Sequence, residues 1–241
     1  MKAIVPLLIA LSLGFAQARA GGPVFSNPLV IDNSFAPFVA GAVKVYVGKS
    51  DGENVVVADL FLEETRTFDL NGTDVECAIL QETEFEGGQL TEISTNYFAQ
   101  SDDGVVFYFG ETVDAYEDGV ITGHGGSWLV GGATLPSDPE DTANADAPAV
   151  FMPADPQIDD TWKPEDLLPF VDETDTLLDD DAKVKVPAGK FEGCLKVEES
   201  SSLDSGTELK WYAPGVGVIR AKAKGESLKL VASTMLPAEG G

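Results

Sequence analysis

Hydrophobic and polar residues alternate with a period of two along most of the chain from residue 43 onward, the spacing that sends successive side chains to opposite faces of a β-strand. Val43-Lys-Val-Tyr-Val47 alternates, Asp51-Gly-Glu-Asn54 has turn composition, and Val55–Leu62 reads as the next strand. Asn71-Gly72 predicts a two-residue hairpin loop, because both central residues of a type I′ turn take positive φ. The pattern runs on through Val75–Leu80, a turn at Glu86–Gln89, and a long strand over Leu90–Gln100 with Ile93, Tyr97 and Ala99 on one face. Asp102-Asp-Gly104 then leads into Val105–Phe109, which is apolar at every position and so predicts a strand covered on both faces. Asp118-Gly119 turns into Val120–Thr122.

After a break the same period returns in Lys183–Val186, Phe191–Glu199, Thr207–Tyr212, Val216–Ala223 and Leu228–Ser233. Strands joined by such short turns pair antiparallel, and no helical period separates them as a parallel α/β fold would require. A sheet of on the order of a dozen strands must curl or close to hide its edges. The predicted fold class is therefore mainly β: a single large antiparallel meander curled into an open half-barrel or clam, with at most one or two short helices. Within it, Pro214-Gly215 predicts the centre of a type II turn. Gly217 reads as a bulge or a point of close backbone approach.

Two stretches lack the alternation. Gly21–Pro37 reads as an arm, with prolines at 23, 28 and 37. Residues 135–182 form an excursion rich in proline and acid, whose prolines exclude a long helix or a central strand. Pro164–Leu168 predicts one helical turn, with proline first and acids at the positive end of the dipole. Phe151, Met152, Trp162 and Phe170 would pin the excursion to the sheet as a lid across its concavity. The rival reading, a flexible linker, seldom carries so many apolar anchors.

The first twenty residues change the picture of where the chain resides. Lys2, the apolar run Ile4–Phe15 and the small residues of Ala18-Arg-Ala20 form the pattern of a cleaved signal peptide. Cleavage after Ala20 leaves residues 21–241 as a single antiparallel β domain, exported to the periplasm or the medium. No later stretch is long and apolar enough to predict a membrane-crossing helix.

Charge narrows the partners. Against 41 Asp and Glu stand 15 Lys and Arg, a formal net charge of −26, and loss of Lys2 and Arg19 with the leader takes it to −28. Such a field repels phosphate backbones, so nucleic-acid binding is disfavoured. Most of this charge reads as solvated surface. The sharper alternative is calcium binding, with Asp172, Asp175, Asp179 and Asp181 as candidate ligands, although their spacing matches no EF-hand. Cys77 and Cys194 are the only cysteines. Export permits a disulfide between them, and burial on separate strands is the alternative.

Candidate chemistry is sparse. His124, in Gly123-His-Gly-Gly-Ser-Trp128, resembles part of an esterase oxyanion loop, but the Gly-x-Ser-x-Gly elbow and a second histidine are missing. It reads as a glycine-rich turn before a strand over Ser127–Val130. No catalytic residue is singled out. Tyr97, Tyr108, Trp128, Trp162 and Trp211 are the candidate ligand-binding residues, suited to a lipid, another apolar small molecule or a sugar.

Four segments together carry a resemblance: Asn96–Glu111; Gly125–Gly132 with Met152–Asp160; Val186–Ser200; and Trp211–Arg220. In this order they resemble a group of uncharacterised secreted bacterial proteins marked by a Tyr-Ala-Pro-Gly-Val-Gly hairpin. The second half also resembles periplasmic proteins with curled open sheets, an architecture shared with lipoprotein carriers. The resemblance implies export and a curled, concave sheet, and lends no mechanism. The first functional reading is a non-enzymatic β protein that holds an apolar or amphipathic ligand, or docks a partner, in that concavity. A secreted carboxylate-dependent hydrolase of glycans or esters and a calcium-stabilised surface protein are the alternatives.

Overall fold

The computed structural model describes residues 22–203 and 205–236. The expected leader, with its cleavage site, lies outside them. Fifteen strands follow one another in the chain: β1 (Val43–Ser50), β2 (Glu53–Leu70), β3 (Thr73–Glu86), β4 (Gln89–Gln100), β5 (Val106–Glu117), β6 (Val120–Gly123), β7 (Trp128–Val130), β8 (Ala143–Ala145), β9 (Ala149–Met152), β10 (Thr161–Leu167), β11 (Val171–Val186), β12 (Gly189–Ser200), β13 (Thr207–Ala213), β14 (Gly217–Lys222) and β15 (Glu226–Ser233). No helix occurs among the described residues, so none there is long and apolar enough to cross a membrane.

All fifteen strands belong to one sheet. Its order runs β10 to β15, then β1 to β5, then β7 and β8, with β6 and β9 paired to β5. Every pairing is antiparallel except the parallel one between β7 and β8. The sheet curls into a nearly closed barrel. Its seam lies where β9 and β10 face each other without a hydrogen-bonded ladder.

The hairpin chemistry read from sequence is in place. Asn71 and Gly72 take φ of 56° and 82°, and the pairs Asp51-Gly52 and Asp118-Gly119 are also positive at both positions. At the late hairpin the Val216 amide donates to the Ala213 carbonyl at 3.1 Å, and Gly215 has φ 72°. A Cβ on Gly217 would sit 3.4 Å from the Phe35 carbonyl oxygen, the close approach expected there. The N-terminal arm runs past this turn, and the Gly215 amide donates to the Ser34 carbonyl. Gly215→Val puts a β-branched residue at positive φ and is expected to cost roughly 1–3 kcal/mol. The melting temperature should fall by roughly 2–10 °C for a chain of this size. Unchanged thermal unfolding would refute the turn assignment.

Two readings are corrected. The segment around Pro164 is not a helical turn but strand β10. Pro164 sits where the β10–β11 register shifts between Trp162 and Glu165, on a strand at the end of the sheet, where a missing amide is tolerated. The excursion is also not a lid, since it contributes β8, β9, β10 and most of β11 to the wall. Its anchors are Met152, fully buried, with Trp162 and Phe151 packed on the same cluster, whereas Phe170 is 60% exposed. The N-terminal arm covers the interior instead. Asn33 pins it by donating to the Gly104 and Pro153 carbonyls and by accepting from the Phe35 and Ala36 amides.

Packing is divided among three clusters. One gathers Phe98, Tyr108, Trp128, Met152 and Trp162 near the seam. A second centres on Val57, Val186, Cys194, Trp211 and Ile219. A third holds Phe68, Cys77, Tyr97, Phe109 and Leu129. The run Val105–Phe109 is covered on both faces as expected, with Val106 and Tyr108 in the first cluster and Phe107 and Phe109 in the third. Cys77 and Cys194 do not pair. Each is a free buried thiol, on β3 and β12, in different clusters. Burial pushes both thiols up, Cys77 far above its ordinary value and Cys194 to about 11, so neither is a ready nucleophile.

Candidate functional site: an acidic cavity inside the barrel

A cavity of about 390 Å³ occupies the barrel interior. The side chains that line it are not those the alternation suggested. On β1 the buried positions are Lys44 and Tyr46, while Val47 is 39% exposed. On β4 the inward set is Glu92, Ser94, Asn96 and Phe98, and on β13 it is Glu208, Lys210 and Tyr212. Strand geometry enforces period two but does not say which face is inside.

Register lines these side chains into rows. Lys44 pairs with Asp59, Asp59 with Glu82, and Glu82 with Ser94 across β1–β4. A second row joins Phe61, Leu80, Asn96 and Glu111 across β2–β5. On the facing wall Trp162, Asp175, Glu199 and Glu208 are directly paired in sequence across β10–β13. Like charges directly opposite one another destabilise a sheet, so these acid rows call for compensation.

Lys210 compensates one wall. Its ammonium reaches Glu173 at 3.9 Å and Glu208 at 3.7 Å, and it forms a tight ion pair with Glu199. Burial would lower the lysine, but the surrounding acids, Glu173 and Glu199 foremost, hold it well above its ordinary value. Burial also raises the acids. Glu173 is pushed up to about 9 and Asp175 to about 7, whereas at Glu199 the adjacent Lys210 outweighs burial and lowers the carboxyl. Across the cavity, burial lowers Lys44 to about 8 despite Asp59 and Glu82, and raises Glu82 to about 8. Glu111 is raised well above the carboxylate range, first by burial and then by Glu165, Glu92 and Glu82.

One backbone irregularity puts Glu111 there. Between the pairs Asn96↔Glu111 and Phe98↔Tyr108, β5 carries two residues where β4 carries one. This bulge changes the phase, so Tyr108 and Glu111 both face the cavity although they are three apart. Gly110 makes the bulge, at φ 111°.

Aromatic and apolar groups finish the wall. Phe98 stacks on Tyr108 at 4.8 Å between centroids, Phe151 packs against Phe98, and Phe35 and Phe38 of the arm close one side. Of the five aromatic candidates, Tyr108 lines this cavity. Trp128 and Trp162 line a second recess. The Trp128 indole donates to Glu165 and the Trp162 indole to the Phe151 carbonyl across the seam, both at 3.1 Å. Tyr97 and Trp211 are packed elsewhere, Tyr97 under Arg66 and Trp211 under Arg220.

The four aspartates considered for calcium are not brought together. Asp172 accepts from Ser202 and Lys163, which hold its carboxyl at about 2, and Asp179 accepts from the Asp181 amide on the exposed stretch of β11. Asp175 alone points inward, where its carboxyl meets those of Glu173 and Glu199 with ligand atoms within 4.8 Å of one another. The Lys210 ammonium already occupies that cluster. His124 lies against the Val113 carbonyl and Asp114, in the turn before β7.

The interior carboxylates Glu82, Glu92, Glu111, Glu165 and Glu173 were the site residues that sequence reasoning missed. For Glu82 and Glu92 the visible signal was a polar side chain at every second position of the strand, whereas Glu111 and Glu165 lie at register shifts that period two does not reveal.

No protein family matches the chain, and no curated protein matches it. Among solved structures, a Parabacteroides distasonis protein described as a lipoprotein is similar over 84% of this chain and 99% of its own, at 14% identity and a TM-score of 0.40. A Bacteroides fragilis protein described as exported, with a YmcC-like fold, covers the same shares at 11% identity and a TM-score of 0.38.

Proposed function

We propose that this is an exported, non-enzymatic binding protein that holds one small amphipathic molecule inside its barrel. The observation that carries this reading is the cavity itself. Its volume of about 390 Å³ falls in the range of small-molecule sites, roughly 300–1,000 Å³. Its wall combines aromatic groups at Phe98, Tyr108 and Phe151 with carboxyls at Glu82, Glu92 and Glu111. The leader read at residues 1–20 supports export to the periplasm or the medium.

Hydrolysis by paired carboxylates is favoured less. A glycosidase needs one carboxyl ionised and its partner protonated across the scissile bond. Glu111 and Glu165 are both raised, and of the oppositely shifted pair Glu173 and Glu199 only Glu173 lines the cavity.

The test is uptake of the neutral fluorescent amphiphile N-phenyl-1-naphthylamine by the full mature chain, beside native mass spectrometry of protein purified from its own host. Wild type is expected to bind one equivalent. Leu80→Trp, which fills the cavity from β3, should abolish uptake while keeping a cooperative melt. No uptake by wild type, or full uptake by a folded Leu80→Trp variant, would overturn the reading.

A further inference from the structure

The carboxylates of the cavity are not balanced by the lysines beside them. Lys210 is taken up by Glu199, with Glu173 and Glu208 around it. Lys44 pairs in register with Asp59, on the other side of the same row. Glu111 has no ion pair among the described residues, and the charged groups acting on it most strongly are the acids Glu165, Glu92 and Glu82.

A second feature points the same way. Asp59 is 5% exposed and lines the cavity, and one of its oxygens accepts from the Tyr46 hydroxyl at 3.2 Å. Its other oxygen, Oδ1, has no hydrogen-bond partner among the described residues. A buried acceptor left open costs free energy that a donor from a ligand would recover. Asp59 and Glu82 are also directly paired acids within hydrogen-bond reach of each other, so without a cation between them one of the two must keep a proton.

We propose that the ligand of this cavity is an organic cation with an apolar tail, a primary amine or larger ammonium. Its charged nitrogen is held by Asp59, Glu82, Glu92 and Glu111, and its tail lies along Phe98 and Phe151. The inference rests on the binding function proposed for the same cavity and adds the charge of the ligand. An ammonium has donors only, and the groups here offer acceptors. An N⁺–H donor to a carboxylate forms the stronger, charge-assisted class of hydrogen bond. A cation favours the ionised, acceptor-only form of these crowded carboxyls, whereas a fatty acid or phosphate head would add a further negative charge beside them.

Calorimetric titration of the full mature chain with decylamine, decanol and decanoate tests this, since the three share one tail and differ in the head. Decylamine is expected to bind at least about tenfold more tightly than either of the others, a difference of about 1.4 kcal/mol. Glu111→Gln, nearly isosteric, should shrink the amine-over-alcohol preference about fivefold to tenfold, and Glu92→Gln serves as a second variant should the first fail to fold. Decanol or decanoate binding as tightly as decylamine, or both variants keeping the full preference, would overturn the cationic ligand and leave the binding function standing. Failure of all three probes would overturn both.

Discussion

Gly110→Ala is expected to destabilise the protein by roughly 3–5 kcal/mol, at the top of the range for single substitutions. Two independent penalties coincide at this position. The backbone is at φ 111°, a region nearly closed to residues with a Cβ. The added Cβ would also run into the Trp128 carbonyl and come within 2.8 Å of the Leu129 Cα, both backbone atoms of the neighbouring strand. Side-chain adjustment cannot relieve a clash with backbone. The β5–β7 pairs Gly110↔Leu129 and Glu111↔Trp128 would have to separate, opening the sheet beside the seam. Urea titration measures the loss. A Gly110→Ala variant within about 1 kcal/mol of wild type would show that β5 can shift register, and that Glu111 is not held in the cavity by the bulge.

Stability is expected to fall by roughly 3 kcal/mol or more between pH 5 and pH 8, the reverse of the usual behaviour of surface acids. Glu82, Glu173 and Asp175 are raised chiefly by burial, to about 8, about 9 and about 7. Each therefore binds a proton more firmly in the folded than in the unfolded chain. Their contribution is complete below the unfolded carboxylate range and is lost as pH climbs through the folded values. The groups facing them modulate this: Asp59, Glu92 and Lys210 around Glu82, and Lys210, Glu199 and Glu208 around Glu173 and Asp175. Lys44, lowered to about 8, is charged in both states over most of this window and adds slope of opposite sign only above it. Asp172, at about 2, and the lowered Asp138 and Glu199 work the other way. Their stabilisation is lost as pH falls through their folded values, so an optimum near pH 5 is expected. Urea midpoints measured from pH 3 to pH 8 test this. A profile that rises from pH 5 to pH 8 would mean that these carboxylates are solvated and charged.

Both expectations turn on features that local sequence rules cannot see. Gly110 sits inside the motif Phe-Tyr-Phe-Gly-Glu, where it looks like the end of a strand. The bulge becomes legible only from the pairing of β4 with β5. The first half of β11 was hidden for a related reason. Val171, Glu173, Asp175 and Leu177 alternate with Asp172, Thr174 and Thr176, but buried acids on a strand resemble a polar loop when burial is inferred from hydropathy. The predicted lid is misplaced because prolines exclude a long helix or a central strand but not strands at the end of a sheet or at bulges, which accept them.

What the sequence determined by itself is local and steric. The Asn-Gly and Asp-Gly pairs compel tight hairpins, period two compels strands, and short connections compel antiparallel neighbours. Together these reach the curled β architecture, the late Pro-Gly turn and the doubly covered strand at Val105–Phe109. The tertiary structure decided which face of each strand is interior. Alternation is symmetric between the two faces, and only closure of the sheet chooses one. Here closure places Lys44, Asp59, Glu82, Glu111 and Lys210 inside and leaves Val47 and Val56 outside. Registers set by bulges and turns far apart in the chain then bring those charges into facing rows. The physical reason is that hydropathy reports the cost of burying a side chain alone, whereas the cost in a cavity depends on the charges its neighbours bring.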